Sequence, residues 1–495
     1  MKKAGRTTLV LWIAVTICAA LLAPTDADAG TGHGRELTGT GGELAPSTAS
    51  PLLGAYYSDW FPGNSTQGTL RQHLVPSQGA DPTLVNSSAP SVAYRAIAQA
   101  SKAGISFFAL DYWPSRPTQN KNIRAFVRAK NLRDIRFCLL YETWDLGFDA
   151  AHEATPVTPS LELKFDRQLL QFARTYFANP RYLRIQGRPV LVLYLTRTLT
   201  GDVGGMIAQA RHLLRQHGYN PYLIGDEVFW RVTQESPPAA GSDFTKSPQL
   251  SRIEQFNAIT SYSLYGGGSG NAWVPSRDFV GYPGTTSIVR DEVSLYRRYS
   301  TATDGRVPVI PDVSPGVNTR GVRLSVNEPA EPRQWRAGES AGSTQTQFLR
   351  TVARPVLDPR LPMVFVTSWN EWNEDTGIQP VGGVPTPRDD SPTGTAYTQG
   401  YTYGGEGNVD LTVIRNFEAV AWGRVTEPKG GPAAQVHVTA SHDGRVVSRA
   451  LTNSAGWYIM PRTKGGSGVL LLRAAGRSEL IHSSTSIAQR SDFRV

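Results

Sequence analysis

The chain has 495 residues, of which 40% are hydrophobic and 18% charged, so it is globular and long enough for one large domain plus a smaller one. Its formal net charge of +9 comes from scattered residues, mostly Arg, without the Lys/Arg run typical of a nucleic-acid-binding patch. The composition therefore favours a solvated basic surface and no nucleic-acid partner.

The first 29 residues have the pattern of an export signal. A basic start precedes an apolar run at residues 9–23, and the small residues of Ala27–Ala29 follow. This run of 15 residues is short for a membrane span, which needs about 20. We expect a signal peptide at residues 1–29, cleavage near Ala29–Gly30, a secreted protein and no stable membrane insertion afterwards. An uncleaved anchor is the alternative.

The chain contains two cysteines. Cys18 lies in the predicted signal, so the mature chain can form no internal disulfide. Cys138 lies in the apolar run "RFCLLY", where a small core residue is expected rather than a nucleophile. Residues 30–50 are rich in Gly, Thr and Ser and indicate a flexible leader.

Eight short apolar runs recur after Pro51, and most are continuous rather than alternating, as in strands covered on both faces. They are "LLGAYY" from Leu52, "ISFFAL" from Ile105, "IRFCLLY" from Ile135, "VLVLYL" from Val190, "YLIGDE" from Tyr222, "FNAITSY" from Phe256, "VPVIPDV" from Val307 and "MVFVTSW" from Met363.

Helical patterns lie between these runs. Residues 161–176 place apolar side chains at spacings of three and four, and the patterns from Val92 and Met206 each end at a Gly suited to a helix C-cap. Strands alternating with helices over residues 51–418 predict an α/β fold, a (β/α)8 TIM barrel. A doubly wound sheet is the alternative, although no Gly-rich phosphate loop follows the first strand.

Residues 420–495 change in character. Apolar and polar residues alternate in short runs, with turns at Lys429–Gly431, Asp443–Gly444 and Ala455–Gly456. We therefore expect a separate small all-β sandwich after the barrel.

The predicted strand ends carry one kind of chemistry. In such a barrel the active site lies at the C-terminal ends of the strands. Sugars stack their C–H faces on aromatic rings and hydrogen-bond charged acceptors through their hydroxyls, and glycosidic cleavage needs two carboxyl groups. A polysaccharide or glycan substrate is expected because acidic and aromatic residues follow the strands: Tyr56, Tyr57, Asp59, Trp60, Asp111, Tyr112, Trp113, Tyr141, Glu142, Trp144, Asp226, Glu227, Trp230, Tyr262, Trp369, Glu371, Trp372 and Glu374.

Single residues of this set also suit purely structural roles. The Trp side chains can plug the barrel rim, and Asp111 or Asp226 can cap a following helix. Metal chemistry is disfavoured because the eight His residues show no ligand spacing such as H-E-x-x-H. Serine hydrolase chemistry is disfavoured because no G-x-S-x-G elbow occurs.

Most of residues 52–417 resemble glycoside hydrolase family 99, the endo-α-mannosidase and endo-mannanase family, and its bacterial WbsX-like relatives. The matching pieces are "GAYYSDW", "FFALDYW", "LLYETW", "FANPRYLRIQGRPVLVLYL", "AITSYSLYG", "VIPDVSPG" and "FVTSWNEWNEDTGIQP". The last is the most specific, since S-[WF]-N-E-W-x-E followed by Thr is close to a family signature. The resemblance implies a (β/α)8 barrel and a retaining endo-glycosidase that needs no metal or other cofactor.

The resemblance also implies residue roles. Glu371 would act as a base on the substrate's own 2-hydroxyl, giving a 1,2-anhydro sugar, and Glu374 as general acid and then as base for water. The chain departs from the family at Asp375, where Gly is usual, at Gln379, where Glu is frequent, and at "DYW", so α-mannan specificity is left open. The predicted substrate-binding residues are Tyr57, Trp60, Asp111, Trp113, Glu142, Asp226, Tyr262, Trp369 and Trp372.

The C-terminal pieces "GRVT", "GPAAQVHV" and "TNSAGWY" resemble the carboxypeptidase-regulatory-like, prealbumin-type sandwich, which implies a non-catalytic module. The leading hypothesis is a secreted endo-acting glycosidase. The alternatives are a non-catalytic carbohydrate-binding or surface-polysaccharide-associated protein and an adhesion protein. The presence of both Glu371 and Glu374 favours catalysis, whereas the sugar, its linkage and the oligomeric state are left open.

Overall fold

The computed structural model describes residues 52–61, 74–76, 86–150, 152–235, 244–264, 282–318, 330–358, 360–383, 407–452, 456–461, 468–482 and 489–495. The predicted signal peptide and leader lie outside these ranges. None of the described helices is long and apolar enough to cross a membrane.

A parallel barrel forms the larger part of the molecule and confirms the predicted fold. Its strands are β1 (Leu52–Tyr57), β2 (Phe107–Tyr112), β3 (Arg136–Glu142), β4 (Arg188–Tyr194), β5 (Tyr222–Asp226), β6 (Ala258–Thr260), β7 (Val309–Ile310), β8 (Asp312–Val313) and β9 (Met363–Val366). Neighbouring strands follow the order β7-β6-β5-β4-β3-β2-β1-β9-β8, and all of these pairs are parallel.

The seventh predicted strand is split in two. Pro311, which has no N–H to donate, separates β7 from β8. β7 pairs with β6 and β8 pairs with β9, and the Pro311 carbonyl still accepts a hydrogen bond from the Phe365 amide at 2.9 Å. The two short segments together occupy one strand position and bring the barrel to closure.

Helices cover the outside of the barrel. Helix α3 (Pro159–Tyr176) shows why they form where they do. Pro159 occupies its first turn, the Thr158 side chain accepts from the Leu161 amide, and its buried stripe repeats at spacings of three and four. Gly104 ends helix α1 (Pro90–Ala103) with φ of +102°, as its predicted C-cap role requires. The helices are α1 (Pro90–Ala103), α2 (Pro117–Phe126), α3 (Pro159–Tyr176), α4 (Val203–Gln216), α5 (Leu250–Ile253), α6 (Ile288–Ala302), α7 (Ser343–Phe348), α8 (Arg354–Val356) and α9 (Val409–Glu418).

The barrel core is continuous and tightly packed. β2, β5 and β9 are buried along their whole length, as expected of strands covered on both faces. A Cβ atom at Gly54 would lie 2.0 Å from the Phe107 ring, so the close contact between β1 and β2 requires glycine there. Cys138 lies fully buried in this core.

Short strand pairs and 3-10 turns shape the loops around the barrel. Val317–Asn318 pairs with Ala330–Glu331 next to the site described below. The other short strands are Leu74–Pro76 with Val381–Gly383, Thr155–Pro156 with Leu199–Thr200, Val232–Thr233 with Phe244–Thr245, and Arg184–Ile185 against β4. The 3-10 turns include Thr143–Leu146 after β3 and Trp372–Glu374 after β9.

A second, all-β unit follows α9 and confirms the predicted sandwich architecture. Its strands are β10 (Ala419–Thr426), β11 (His437–His442), β12 (Arg445–Leu451), β13 (Trp457–Pro461), β14 (Val469–Ala474), β15 (Arg477–His482), β16 (Gln489–Arg490) and β17 (Phe493–Arg494). One sheet has the order β13-β10-β16 with β17 also paired to β10, and the other has the order β12-β11-β14-β15. Buried side chains from both sheets form a separate apolar cluster.

Trp422 on β10 joins the two units. The guanidinium of Arg415, on α9, lies 3.7 Å from the centre of the indole ring, and Arg490 of β16 lies at 5.3 Å. Lys102 of α1 approaches the same ring at 5.6 Å. Cation–π contacts from both sides therefore fix this junction.

Candidate active site

The segment after β9 forms a closed loop that carries two glutamates. The Ser368 amide donates to the Thr376 carbonyl at 2.8 Å and the Gln379 amide donates to the Trp369 carbonyl at 2.8 Å, which closes the base of the loop. The Thr367–Ser368 peptide is cis. Glu371 is 4% exposed and Glu374 is partly exposed. The loop thus presents one buried and one accessible carboxyl group at the end of the last barrel strand.

Hydrogen bonds fix this loop to the end of β1. The Asn370 side chain accepts from the Ser58 amide at 2.8 Å and donates to the Ser58 carbonyl at 2.7 Å. The Ser58 hydroxyl donates to Glu371 Oε2 at 3.1 Å, and the Glu371 amide donates to Ser368 Oγ at 2.7 Å. Glu371 is therefore held from two neighbouring strand ends.

Asp111 and Glu142 lie at the ends of the neighbouring strands β2 and β3, and both are buried. Burial raises the pKa of Asp111 to about 6, and burial together with the Asp111 charge raises the pKa of Glu142 well above its ordinary value. Asp111 Oδ2 accepts from Trp113 Nε1 at 2.8 Å, and the Arg116 guanidinium lies 3.6 Å from the centre of the Trp113 ring. The pair thus favours a state with fewer than two negative charges.

Three tyrosines connect the Asp111–Glu142 pair to the loop that carries Glu371 and Glu374. The Tyr262 ring lies 4.8 Å from the Tyr56 ring and 5.1 Å from the Tyr194 ring. Burial raises the pKa of Tyr194, and the charges of Glu142, Asp226 and Glu374 add to the increase. The Tyr194 side chain is therefore close enough to the carboxyl groups of Glu142 and Glu374 for their charges to act on it.

Asp226 accepts hydrogen bonds from the backbone at Tyr262 and directly after Tyr194. Its Oδ2 accepts from the Leu195 amide at 2.9 Å and from the Arg197 guanidinium, and its Oδ1 accepts from the Tyr262 amide at 2.9 Å. Both oxygens are thus engaged by the protein, and a direct substrate contact by Asp226 stays a prediction.

Asp312, the first residue of β8, also connects strand ends through hydrogen bonds. Its Oδ2 accepts from the Ser263 amide at 2.9 Å and from the Thr367 hydroxyl at 2.8 Å, which links the end of β6 to the end of β9. In the described parts of the chain, no group of three His, Cys, Asp or Glu side chains is arranged to hold a metal ion.

Several predicted site residues have contacts typical of packing. Tyr57 lies against Phe108 and Phe126, with ring centroids at 5.2 Å in both cases, whereas Tyr56 is the tyrosine of β1 that contacts Tyr262. Trp369 is fully buried beside Phe108, and Trp372 packs on Phe61. Trp60 is half-buried after β1. Substrate binding by Tyr57, Trp60, Trp369 and Trp372 stays a prediction, and the contacts of Tyr57 and Trp369 favour packing.

The sequence reasoning missed five residues that hold or line the site: Ser58, Tyr194, Arg197, Asp312 and Asn370. Tyr194 ends the run "VLVLYL" and Asp312 lies within "VPVIPDV", so their position at strand ends was a usable signal. Ser58 and Asn370 act through hydrogen bonds to each other across 312 residues of sequence, for which the sequence alone offers no signal.

The fold and the strand-end residues define a TIM-barrel protein with an acidic, tyrosine-lined site. The chain belongs to the family described as Glycosyltransferase WbsX, whose profile matches residues 51–384. No curated protein matches the chain.

Solved structures similar to this chain include a "Glycoside hydrolase-like protein" with 17% identity and a TM-score of 0.52, covering 74% of this chain and 94% of that one. At this identity the likeness supports the shared fold. The GH99 endo-alpha-mannosidase from Bacteroides thetaiotaomicron, in complex with BIS-TRIS-propane, has 15% identity and a TM-score of 0.48, covering 74% of this chain and 95% of that one.

Proposed function

We propose that the protein is a secreted, retaining endo-glycosidase that cleaves an α-linked polysaccharide or glycan. The observation that carries the proposal is the loop after β9, which holds a buried Glu371 and a partly exposed Glu374 three residues apart. Glycosidic cleavage uses two carboxyl groups in different environments, one to assist the leaving oxygen and one to act as base or nucleophile.

The proposed chemistry follows the family 99 resemblance of the "SWNEWNEDT" segment. Glu371 removes the proton from the substrate's 2-hydroxyl, and that oxygen attacks C1 while Glu374 protonates the leaving glycosidic oxygen. The products are a shortened chain and a 1,2-anhydro sugar. Glu374 then takes a proton from water as the water oxygen attacks C1, and Glu371 returns its proton to the 2-oxygen, so both residues end as they began.

The surrounding residues suit this reaction. The Ser58 hydroxyl stabilises Glu371 as an acceptor because it donates directly to the carboxylate. Trp113 offers a sugar the ring face that Arg116 does not cover, and the buried carboxyl groups of Asp111 and Glu142, which share a hydrogen bond, lie beside it. Sugar hydroxyl groups are donors that match such acceptors.

Two alternatives compete with hydrolysis. The family description names a glycosyltransferase, so a sugar hydroxyl could replace water as the acceptor in the second step. A protein that binds carbohydrate without turnover would keep the barrel and lose catalysis. Both differ from the main proposal in what is released from a polysaccharide incubated with the protein.

The test incubates the mature protein with a panel of α-mannans and bacterial surface polysaccharides and follows chain length by size-exclusion chromatography. We expect shortened chains and new reducing ends from the wild type and from Glu479→Gln, an exposed control on β15, and neither from Glu374→Gln. Binding without shortening, unchanged in Glu374→Gln, would overturn the enzyme proposal. Lengthened products would favour transfer.

We further propose that the C-terminal sandwich is a non-catalytic prealbumin-type module and that residues 1–29 are removed on export. The first proposal rests on the resemblance of residues 423–458 and the second on the pattern at the N-terminus. N-terminal sequencing of the exported protein should begin at Gly30.

A further inference from the structure

Arg333 lies in the segment between β8 and α7, far in sequence from the glutamate loop, yet its buried side chain reaches the base of that loop. Nη2 donates to the Asp375 carbonyl at 2.9 Å and to the Gly377 carbonyl at 2.8 Å. The same atom lies 3.0 Å from Asp375 Oδ1, and Nη1 lies 2.7 Å from Asp410 Oδ2 on α9. One guanidinium therefore binds two carbonyl groups and two carboxylates.

Arg333 contacts the loop at Asp375, whose backbone conformation is unfavourable for residues other than glycine. Asp375 has φ of +53°, in the left-handed region that glycine adopts most readily. Its amide donates to the Trp372 carbonyl at 3.1 Å and closes the turn Trp372–Glu374. Asp375 directly follows Glu374, so the contacts that anchor Asp375 also anchor the C-terminal end of the turn that carries Glu374.

This geometry explains the departure at residue 375. Family 99 usually has glycine after the second glutamate, whereas this chain has an aspartate in the conformation that glycine would adopt. The Asp375 carboxylate is paired with Arg333 in a site where both side chains are 4% exposed. The charge at residue 375 thus serves an internal contact.

We propose that Arg333 is a positioning residue that acts through Asp375 to hold Glu374 in the orientation for proton donation. The inference rests on the proposed glycosidase function and adds a residue that touches no substrate. Its distinctive consequence concerns the first step, in which only a leaving group that needs a proton depends on the placement of Glu374. In the second step Glu374 acts as base for both substrates, so the first step is measured in a single turnover.

The test compares two substrates of one glycone, an oligosaccharide and the corresponding α-glycosyl fluoride, whose leaving group departs without protonation. For Arg333→Lys, which keeps the charge and loses the planar fork, we expect the single-turnover rate of oligosaccharide cleavage to fall by about 10- to 100-fold. For single-turnover release of fluoride we expect a fall of less than about 3-fold, with the half-saturating concentration nearly unchanged for both substrates.

Asp375→Asn provides a second variant that tolerates a positive φ, and we expect a smaller loss with the same dependence on the leaving group. Arg336→Lys is the matched control, because Arg336 is exposed three residues further on. Thermal melting and single-turnover release of fluoride together report the folded, active fraction.

Equal losses on both substrates would show a purely structural role, and no loss on either would remove the role altogether. Each result would overturn the inference while leaving the glycosidase function intact. A wild type that cleaves neither substrate would instead contradict the proposed function, and the inference would fall with it.

Discussion

The Ser58 hydroxyl donates to Glu371 Oε2 at 3.1 Å and so connects the end of the first barrel strand to the loop after the last. The Asn370 side chain bonds both backbone groups of the same serine, at 2.8 and 2.7 Å. The loop is therefore fixed to the barrel wall by three hydrogen bonds centred on one residue.

Ser58→Ala removes the side-chain donor and keeps both backbone bonds to Asn370. Hydrogen bonds to charged groups contribute about 1.5 to 3 kcal/mol, so we expect kcat/KM to fall by about 10- to 100-fold with little change in melting temperature. Asn370→Ala should lower both kcat/KM and the melting temperature, since it removes the two hydrogen bonds to the backbone of Ser58. Unchanged kcat/KM in Ser58→Ala would show that the hydroxyl does not assist Glu371.

Tyr194→Phe tests a site residue that the sequence reasoning missed. The ring contact with Tyr262 is retained and the hydroxyl is lost near Glu142 and Glu374. We expect kcat/KM for the proposed glycan substrate to fall by about 10-fold or more.

Tyr57→Phe is the matched control for that experiment. Tyr57 packs on Phe108 and Phe126, so its hydroxyl should be dispensable for activity. If Tyr57→Phe lost activity and Tyr194→Phe kept it, the predicted role of Tyr57 would stand and that of Tyr194 would fail.

Glu331 should make stability depend on pH. It is buried, neither of its oxygens has a hydrogen-bond partner among the described residues, and burial raises its pKa to about 8. The unfolded chain loses this proton near its ordinary pKa of about 4.3. The stabilising contribution is therefore fully present below that pH and is lost as the pH rises to about 8.

Glu331→Gln should remove this dependence. We expect the variant to melt at the same temperature as the wild type near pH 4, and at a higher temperature near pH 8. Glu339→Gln is the control, because Glu339 is partly exposed. If the melting temperatures of the wild type and Glu331→Gln changed by the same amount across this pH range, the raised pKa of Glu331 would be contradicted.

Cys138 should be unreactive in the folded protein. Its thiol is fully buried in the barrel core, and burial raises its pKa well above the ordinary value. In the chain lacking the predicted signal, a thiol reagent should label no cysteine until denaturant is added and one cysteine afterwards. Rapid labelling of the native protein would show that the barrel opens around β3.

The sequence predicted the barrel because its strands are continuous apolar runs. All eight runs contain or overlap a barrel strand, including "VPVIPDV", which Pro311 divides into β7 and β8. The proximity of Glu142 to the site followed from strand-end position alone.

Side-chain direction was harder to predict. Neighbouring residues in a strand face opposite sides, so Tyr56 and Tyr57 could not be told apart by position in an apolar run. Arg333 gave no signal either, because its contacts with Asp375 and Asp410 span 42 and 77 residues of sequence.

The roles of Glu371 and Glu374 are tested most directly by comparing the release of the leaving group in a single turnover from an α-glycosyl fluoride and from the oligosaccharide of the same glycone. Glu374→Gln should retain formation of the intermediate from the fluoride and lose cleavage of the oligosaccharide, whereas Glu371→Gln should lose both because the 2-hydroxyl is no longer deprotonated. Equal activity of Glu371→Gln and the wild type on either substrate would contradict the proposed mechanism.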